Sequence, residues 1–192
     1  MRELTLHLLD IAENGVSAGA QNITITIVED LRTDRLRLAV EDDGRGMDAA
    51  MVEQVTNPFI TTRTTRKVGL GIPLLKLAAE MCEGGLTVVS TPNVGTKITA
   101  EFQRSHIDRM PLGDVPNTML SLLVGWPQVH WMLIYRVDAE EFVFDDSPVK
   151  EILGDLPLSD PEVITFLRGA LNEGISDVTQ RTRGDNVMIT EG

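Results

Sequence analysis

The chain has one cysteine, Cys82, among 192 residues. A single thiol excludes an intramolecular disulfide framework and supplies no metal-ligand spacing. It falls in an apolar helical pattern, which reads as a buried, inert thiol in preference to a reactive one. Long apolar runs are missing too. The longest candidate, Met119 to Val124, is far short of the roughly 18 to 20 residues of a membrane span. The N-terminus carries Arg2 and Glu3, then an amphipathic stretch and Asp10, which is not the pattern of a signal peptide. The expected location is the cytoplasm, away from membranes. Positive charge is scarce: 17 Lys and Arg stand against 29 Asp and Glu, for a net charge of −12. Phosphates of nucleic acid would be repelled by such a chain, so general nucleic-acid binding is not expected.

What remains is an ordinary globular composition, 42% hydrophobic and 24% charged, with length for one large domain or two small ones. Acidity is concentrated late, with nine Asp or Glu and one Lys over residues 138–162. Two explanations stand: a solvated, solubilising face, or a docking face for a basic partner.

Leu4, Leu8, Ile11 and Gly15 share one face of a helix over residues 4–18. Residues 22–29 and 35–41 alternate with period two and form a hairpin across a polar turn. A short helix is expected around 49–55, then a basic, threonine-rich loop over 61–68. A helix over 72–83 follows; Pro73 fits its first turn and Gly84-Gly85 ends it. Strands over 86–91 and 97–104 complete a two-layer α/β sandwich, with helices on one face of a four- to five-stranded mixed or antiparallel sheet. The pattern breaks at 105–115. This divides the chain into residues 1–104 and a smaller α+β region, 105–192. In the latter a helix (116–124), a hairpin (129–137 and 141–145) and helices over 148–153 and 160–173 are expected, with a loose polar tail from 180 to 192.

Three short blocks carry the chemistry. Asn14-Gly15 interrupts the first helix with two poor helix formers, Gly costing about 1 kcal/mol relative to Ala. An Asn oxygen suits a hard cation such as Mg²⁺. Asp10, one turn earlier on the same face, could activate a water or hydroxyl; equally, it could be an acid serving the helix dipole beside a solvated Asn. In the second block a strand ends at Asp42, and Gly44 and Gly46 follow. These glycines allow close backbone approach to a flat ligand, and the carboxylate can accept from an adenine amino group; the bland alternative is an Asp-Gly turn. In the third, Gly69-Leu70-Gly71-Ile72 opens a helix, and its N–H groups suit phosphate. Arg63, Arg66 and Lys67 precede it and are conspicuous in so acidic a chain. Neither a Walker P-loop nor a Rossmann fingerprint is present.

As an ordered set, residues 4–104 resemble the Bergerat, or GHKL, ATP-binding fold of DNA gyrase, Hsp90-type chaperones, histidine kinases and MutL. Asp10 to Asn14 matches the first box, and Asp42, Gly44 and Gly46 the second. Asn57-Pro58-Phe59 through Gly71 matches the lid and third box in the manner of histidine kinases, and Gly95-Thr96 the Gly-Thr pair. The resemblance implies ATP and Mg²⁺ as cofactors. It implies that Asn14 holds Mg²⁺, that Asp42 reads adenine, and that Thr96 supports Asp42. Gly44, Gly46 and Met47 join the nucleotide site from the second block. Thr61, Thr62, Arg63, Arg66 and Lys67 join it from the lid, and Gly69, Leu70, Gly71 and Ile72 from the third block. Asp10 is the expected base, although hydrolytic members usually carry Glu there; Glu13, off the Asp10–Asn14 face, ranks second.

Only nine residues precede Asp10, whereas histidine kinases place a phosphoacceptor hairpin ahead of this domain, so a self-contained two-component kinase is not expected. His7 reads as structural, and His106 and His130 lack an acceptor context. Residues 106–114 and 153–158 resemble small stand-alone ATPases whose genes neighbour those of iron hydrogenases. The implied partner is therefore a protein, with a redox or hydrogenase complex as one candidate, and a dimer is possible. Two functions stay open: a stand-alone kinase or ATPase acting on a partner, and a nucleotide-dependent interaction module with little catalysis.

Overall fold

The computed structural model describes residues 3–56 and 71–189, with side chains through 182. Helix α1 (Leu4–Ser17) buries Leu4, Leu8, Ile11, Ala12 and Gly15, the face set by its apolar spacing. It ends in a Schellman turn. Gly19 takes a left-handed φ of 84°, and the Ala20 N–H reaches back to the Gly15 carbonyl. Strands β1 (Asn22–Asp30) and β2 (Arg35–Asp42) form the expected antiparallel hairpin. Ile23, Ile25 and Ile27 point into the core, and Thr24, Thr26 and Val28 to the other face. Helices α2 (Ala49–Thr56) and α3 (Gly71–Met81) precede strands β3 (Gly85–Thr91) and β4 (Gly95–Gln103). Cys82 is buried, as expected of an inert thiol.

After β4 the chain crosses to the far side of β1 through α4 (Val115–Gly125), capped by the Asp114 carboxylate on the Asn117 N–H. Strand β5 (His130–Val137) then pairs in parallel with β1, and β6 (Glu140–Asp145) antiparallel with β5. The sheet is therefore six-stranded, in the order β3-β4-β2-β1-β5-β6. This corrects the expected four to five strands: the hairpin after residue 128 continues the same sheet. Trp131 anchors that extension, fully buried with its indole N–H on the Trp126 carbonyl at 3.1 Å.

Helix α5 (Ser147–Leu153) and helix α6 (Pro161–Ile189) close the chain. Asp160 caps α6 on the Glu162 N–H, as the Asp-Pro pair predicts. The helix does not stop near 173, and it takes in the polar stretch from 180 to 189. Val163, Leu167, Leu171, Val178 and Thr182 recur at helical spacing and are buried, so one narrow apolar stripe carries the helix past its polar composition. Gly174 lets the Phe142 ring of β6 come within a distance that a Cβ would obstruct. The helices cover one face of the sheet. The other exposes residues such as Arg37, Lys97 and Glu101, joined by the ion pairs Arg37–Glu101 and Lys97–Glu41. Among the described residues, no helix is long and apolar enough to cross a membrane.

Candidate functional site

The site forms where the C-terminal half of α1, the ends of β2 and β4, and the start of α3 meet. Strand register places Asp42 opposite Thr96. The Asp42 carboxylate accepts the Gly44 N–H at 2.9 Å. Partial burial raises its pKa above the ordinary carboxylate range, opposed by the Gly44 and Thr96 N–H groups and reinforced by the charge of Asp43. Gly15 is what allows α1 so close to this carboxylate, since a Cβ there would sit 3.1 Å from the Asp42 Cβ. Gly46 has φ of 63°, and a Cβ on it would run into the Thr91 carbonyl; only glycine turns the chain here without strain.

Ser90, at the end of β3, holds the loop to the sheet. Its hydroxyl donates to the Gly95 carbonyl at 3.0 Å. That leaves its lone pairs to accept the Met47 N–H at 2.8 Å and the Thr96 hydroxyl at 2.9 Å. Asp43 is tied from the other side by the Gln21 and Asn22 N–H groups and the Asn22 side-chain amide. Burial pushes its carboxyl up, but these hydrogen bonds outweigh that and hold it below the usual range.

Of these residues, Gly15, Asp42, Gly46, Met47 and Thr96 line a cavity of about 700 Å³, within the range of small-ligand pockets. Of the expected site residues, the cavity brings together Asn14, Asp42, Gly46, Met47, Ile72 and Thr96. Gly44 is buried beneath it, against Ala18 and the Asp42 carboxylate. Gly71 is buried at the start of α3. Asp10 is half-buried one turn before Asn14 and lies outside the cavity lining; its carboxylate packs against Gly71 so closely that a Cβ there would collide with it. Glu13 is half-buried and lines no part of the cavity. Thr61, Thr62, Arg63, Arg66, Lys67, Gly69 and Leu70, with the lid from Asn57, lie outside the described residues. His7 is buried. Burial lowers its pKa, its ring bonds to the Gly71 backbone, and its Nδ1 has no partner among the described residues.

Sequence reasoning missed Ser90 and the apolar wall of Met51, Val55 and Ile98. Parity alone places Ser90 with Leu86 and Val88 on the helix-facing side of β3; its position opposite Thr96 comes from the β3–β4 register. Met51 and Val55 are spaced one turn apart on α2, pointing the same way.

Residues 1–106, more than half of the chain, match the family model described as histidine kinase-, DNA gyrase B-, and HSP90-like ATPase. A sensor protein DegM of Bacillus sp. (strain B21-2) is 31% identical over 91 residues, covering 47% of this chain and 24% of the relative. The sensor protein kinase FleS of Pseudomonas aeruginosa is 38% identical over 58 residues, covering 30% and 14%. The chain thus spans a quarter or less of the curated relatives it matches. Among solved structures, the N-terminal domain of a DNA repair protein superposes with a TM-score of 0.52 at 12% identity, over 82% of this chain and 57% of that one; that likeness is one of fold. By the extent of the family match, the chain belongs to the histidine kinase-, DNA gyrase B- and HSP90-like ATPase family.

Proposed function

We propose that the chain is a Mg-dependent ATP-binding protein of histidine-kinase-like type, working in the cytoplasm as a stand-alone kinase or ATPase on a partner protein. The observation that supports this best is the convergence of Asn14, Asp42 and Thr96 on one cavity between α1 and the sheet. Asp42 would accept a hydrogen bond from the adenine amino group at the cavity floor, held in place by Gly44 and by the Ser90–Thr96 pair. Met47, Met51 and Val55 offer apolar surface to the purine ring.

The donor chemistry fits Mg²⁺. Asn14 is exposed at the cavity and offers a neutral amide oxygen, and this ion takes few protein ligands, filling its shell with water and phosphate oxygens. Bound with the triphosphate, it would neutralise charge on the phosphoryl group being moved. Asp10 would orient and deprotonate the attacking hydroxyl or water, a role worth roughly 10² to 10⁴ in rate. Phosphate release from Mg·ATP by the purified chain, with and without a candidate acceptor, tests this. Asp10→Asn is expected to cut turnover by that factor while leaving ATP affinity within a few-fold. Turnover at the wild-type rate would remove Asp10 from the mechanism.

The second reading is an ATP switch, in which ATP binding changes the lid and the region from 105 onward reports it to a partner, with the acidic stretch 138–162 as the docking face. The placement of Asp10 against Gly71, outside the cavity lining, favours it. Equal protease sensitivity of residues 57–70 with and without Mg·ATP would count against a switch.

A further inference from the structure

A second cluster lies across the sheet end from the nucleotide cavity, where β5 begins and β6 runs into α5. His130, Asp145 and Asp146 place one imidazole nitrogen and two carboxylate oxygens within 4.8 Å of one another. His130 Nε2 is 2.9 Å from Asp145 Oδ1 and 3.8 Å from Asp146 Oδ1. Asp146 is 1% exposed, and its Oδ1 has no hydrogen-bond partner among the described residues. Lys150 balances part of its charge: its ammonium, with three donors, lies 2.6 Å from Oδ2 and also donates to the Val129 carbonyl. Oδ1 is left facing His130.

The protonation of His130 can be deduced from its neighbours. Asn22 donates its side-chain N–H to the Asp43 carboxylate at 2.6 Å, and a carboxylate only accepts. The Asn22 amide oxygen therefore points to His130 Nδ1, at 3.0 Å, and Nδ1 must carry the proton. Nε2 is left facing two acceptor oxygens. A lone pair there is tolerable only with a positive species between it and the carboxylates. A proton on Nε2 reaches Asp145 but leaves Asp146 Oδ1, at 3.8 Å, still without a partner. A metal ion engages all three atoms. The surroundings of His130 are also those of a metal-binding histidine, fixed through its other N–H to a neighbouring acceptor, here Asn22 anchored by Asp43.

We infer that His130, Asp145 and Asp146 form a binding site for a divalent transition-metal ion such as Zn²⁺ or Mn²⁺, separate from the nucleotide cavity. One nitrogen and two carboxylate oxygens suit these ions, which accept imidazole more readily than Mg²⁺ does. Three protein ligands leave further coordination positions for water or for a ligand donor group. An adjoining cavity of about 700 Å³, lined in part by Gln21, Asn22, His130, Asp146 and Lys150, gives access to them. With His130 neutral, the three ligands and Lys150 carry a net charge of −1, which a divalent ion offsets. The inference does not rest on ATP binding.

The test is calorimetric titration of the full chain with Zn²⁺ and with Mn²⁺, without nucleotide, on the wild type and on His130→Asn and Asp145→Asn. Circular dichroism would confirm that each variant folds. The expected result is one high-affinity equivalent in the wild type, weakened at least ten-fold in both variants and unaffected by Asp42→Asn. As a readout that needs no variant, substoichiometric Mn²⁺ should broaden the backbone amide signals of His130, Asp145 and Asp146 in the wild type first. No bound equivalent, affinity unchanged in both variants, or broadening centred elsewhere would overturn the site and leave His130 as an imidazolium bridging Asp145.

Discussion

At the scale of single residues, the candidate site is built on small side chains and one half-buried acid. Partial burial raises the Asp42 pKa, so the native state holds that proton more tightly than the unfolded chain. Asp42 thus favours folding only at acid pH, and this contribution is lost as pH rises through its raised native pKa. At neutral pH its ionised form is a cost to the ligand-free fold. Asp42→Asn is accordingly expected to raise the melting temperature near pH 7 and to lose that advantage at pH 3, as thermal melts across this range would show. Gly71 gives a second prediction. A methyl group there meets the side chain of Asp10 first. If Asp10 is the proposed base, Gly71→Ala should lower kcat for ATP turnover about ten-fold or more, with KM changed little, because small displacements of such a group are costly in rate; circular dichroism would check that the variant folds. An unchanged kcat would separate Asp10 from the chemistry. Asp42, Gly44, Gly46 and Asn14 were legible in the sequence because each breaks its local pattern: a carboxylate at a strand end, glycines after it, an Asn inside a helix. Ser90 breaks nothing. Its importance comes from a cross-strand register that emerges only once β3 and β4 are paired.

At the scale of elements, period decided what could be read. The β1–β2 hairpin and α1 announce themselves by strict alternation and by the i, i+4, i+7 spacing of Leu4, Leu8 and Ile11. Helix α6 does not, because most of its surface is polar and its buried set is one residue wide. It is long because that set stays in phase against β5 and β6 through Thr182, whose hydroxyl bonds the Val178 carbonyl at 2.9 Å. Leu171, fully buried on this stripe, provides the test. Leu171→Ala is expected to cost about 2 to 5 kcal/mol in denaturant unfolding. A cost well under 1 kcal/mol would mean that α6 is not packed on the sheet.

At the scale of the whole molecule, the parallel pairing of β1 with β5 sets the behaviour of the chain. It joins strands more than 100 residues apart in sequence, a long-range contact with no local signature, which explains why a six-stranded sheet looked like a smaller one. Both tryptophans, Trp126 and Trp131, lie beyond the expected division at 105, whereas circular dichroism senses the entire sheet and all the helices. If the pairing makes one cooperative unit, urea unfolding followed by tryptophan fluorescence and by circular dichroism should give coincident curves. Separated curves would support independent units at 1–104 and 105–192.

ATP binding through Asp42 in the cavity between α1 and the sheet is to be measured by calorimetric titration of the wild type and of Asp42→Asn with Mg·ATP. Loss of one charge-assisted hydrogen bond is worth about 1.5 to 3 kcal/mol, so the account predicts saturable one-to-one binding in the wild type that weakens roughly 10- to 150-fold in the variant. Equal affinity in the two proteins, or no binding in either, would contradict it.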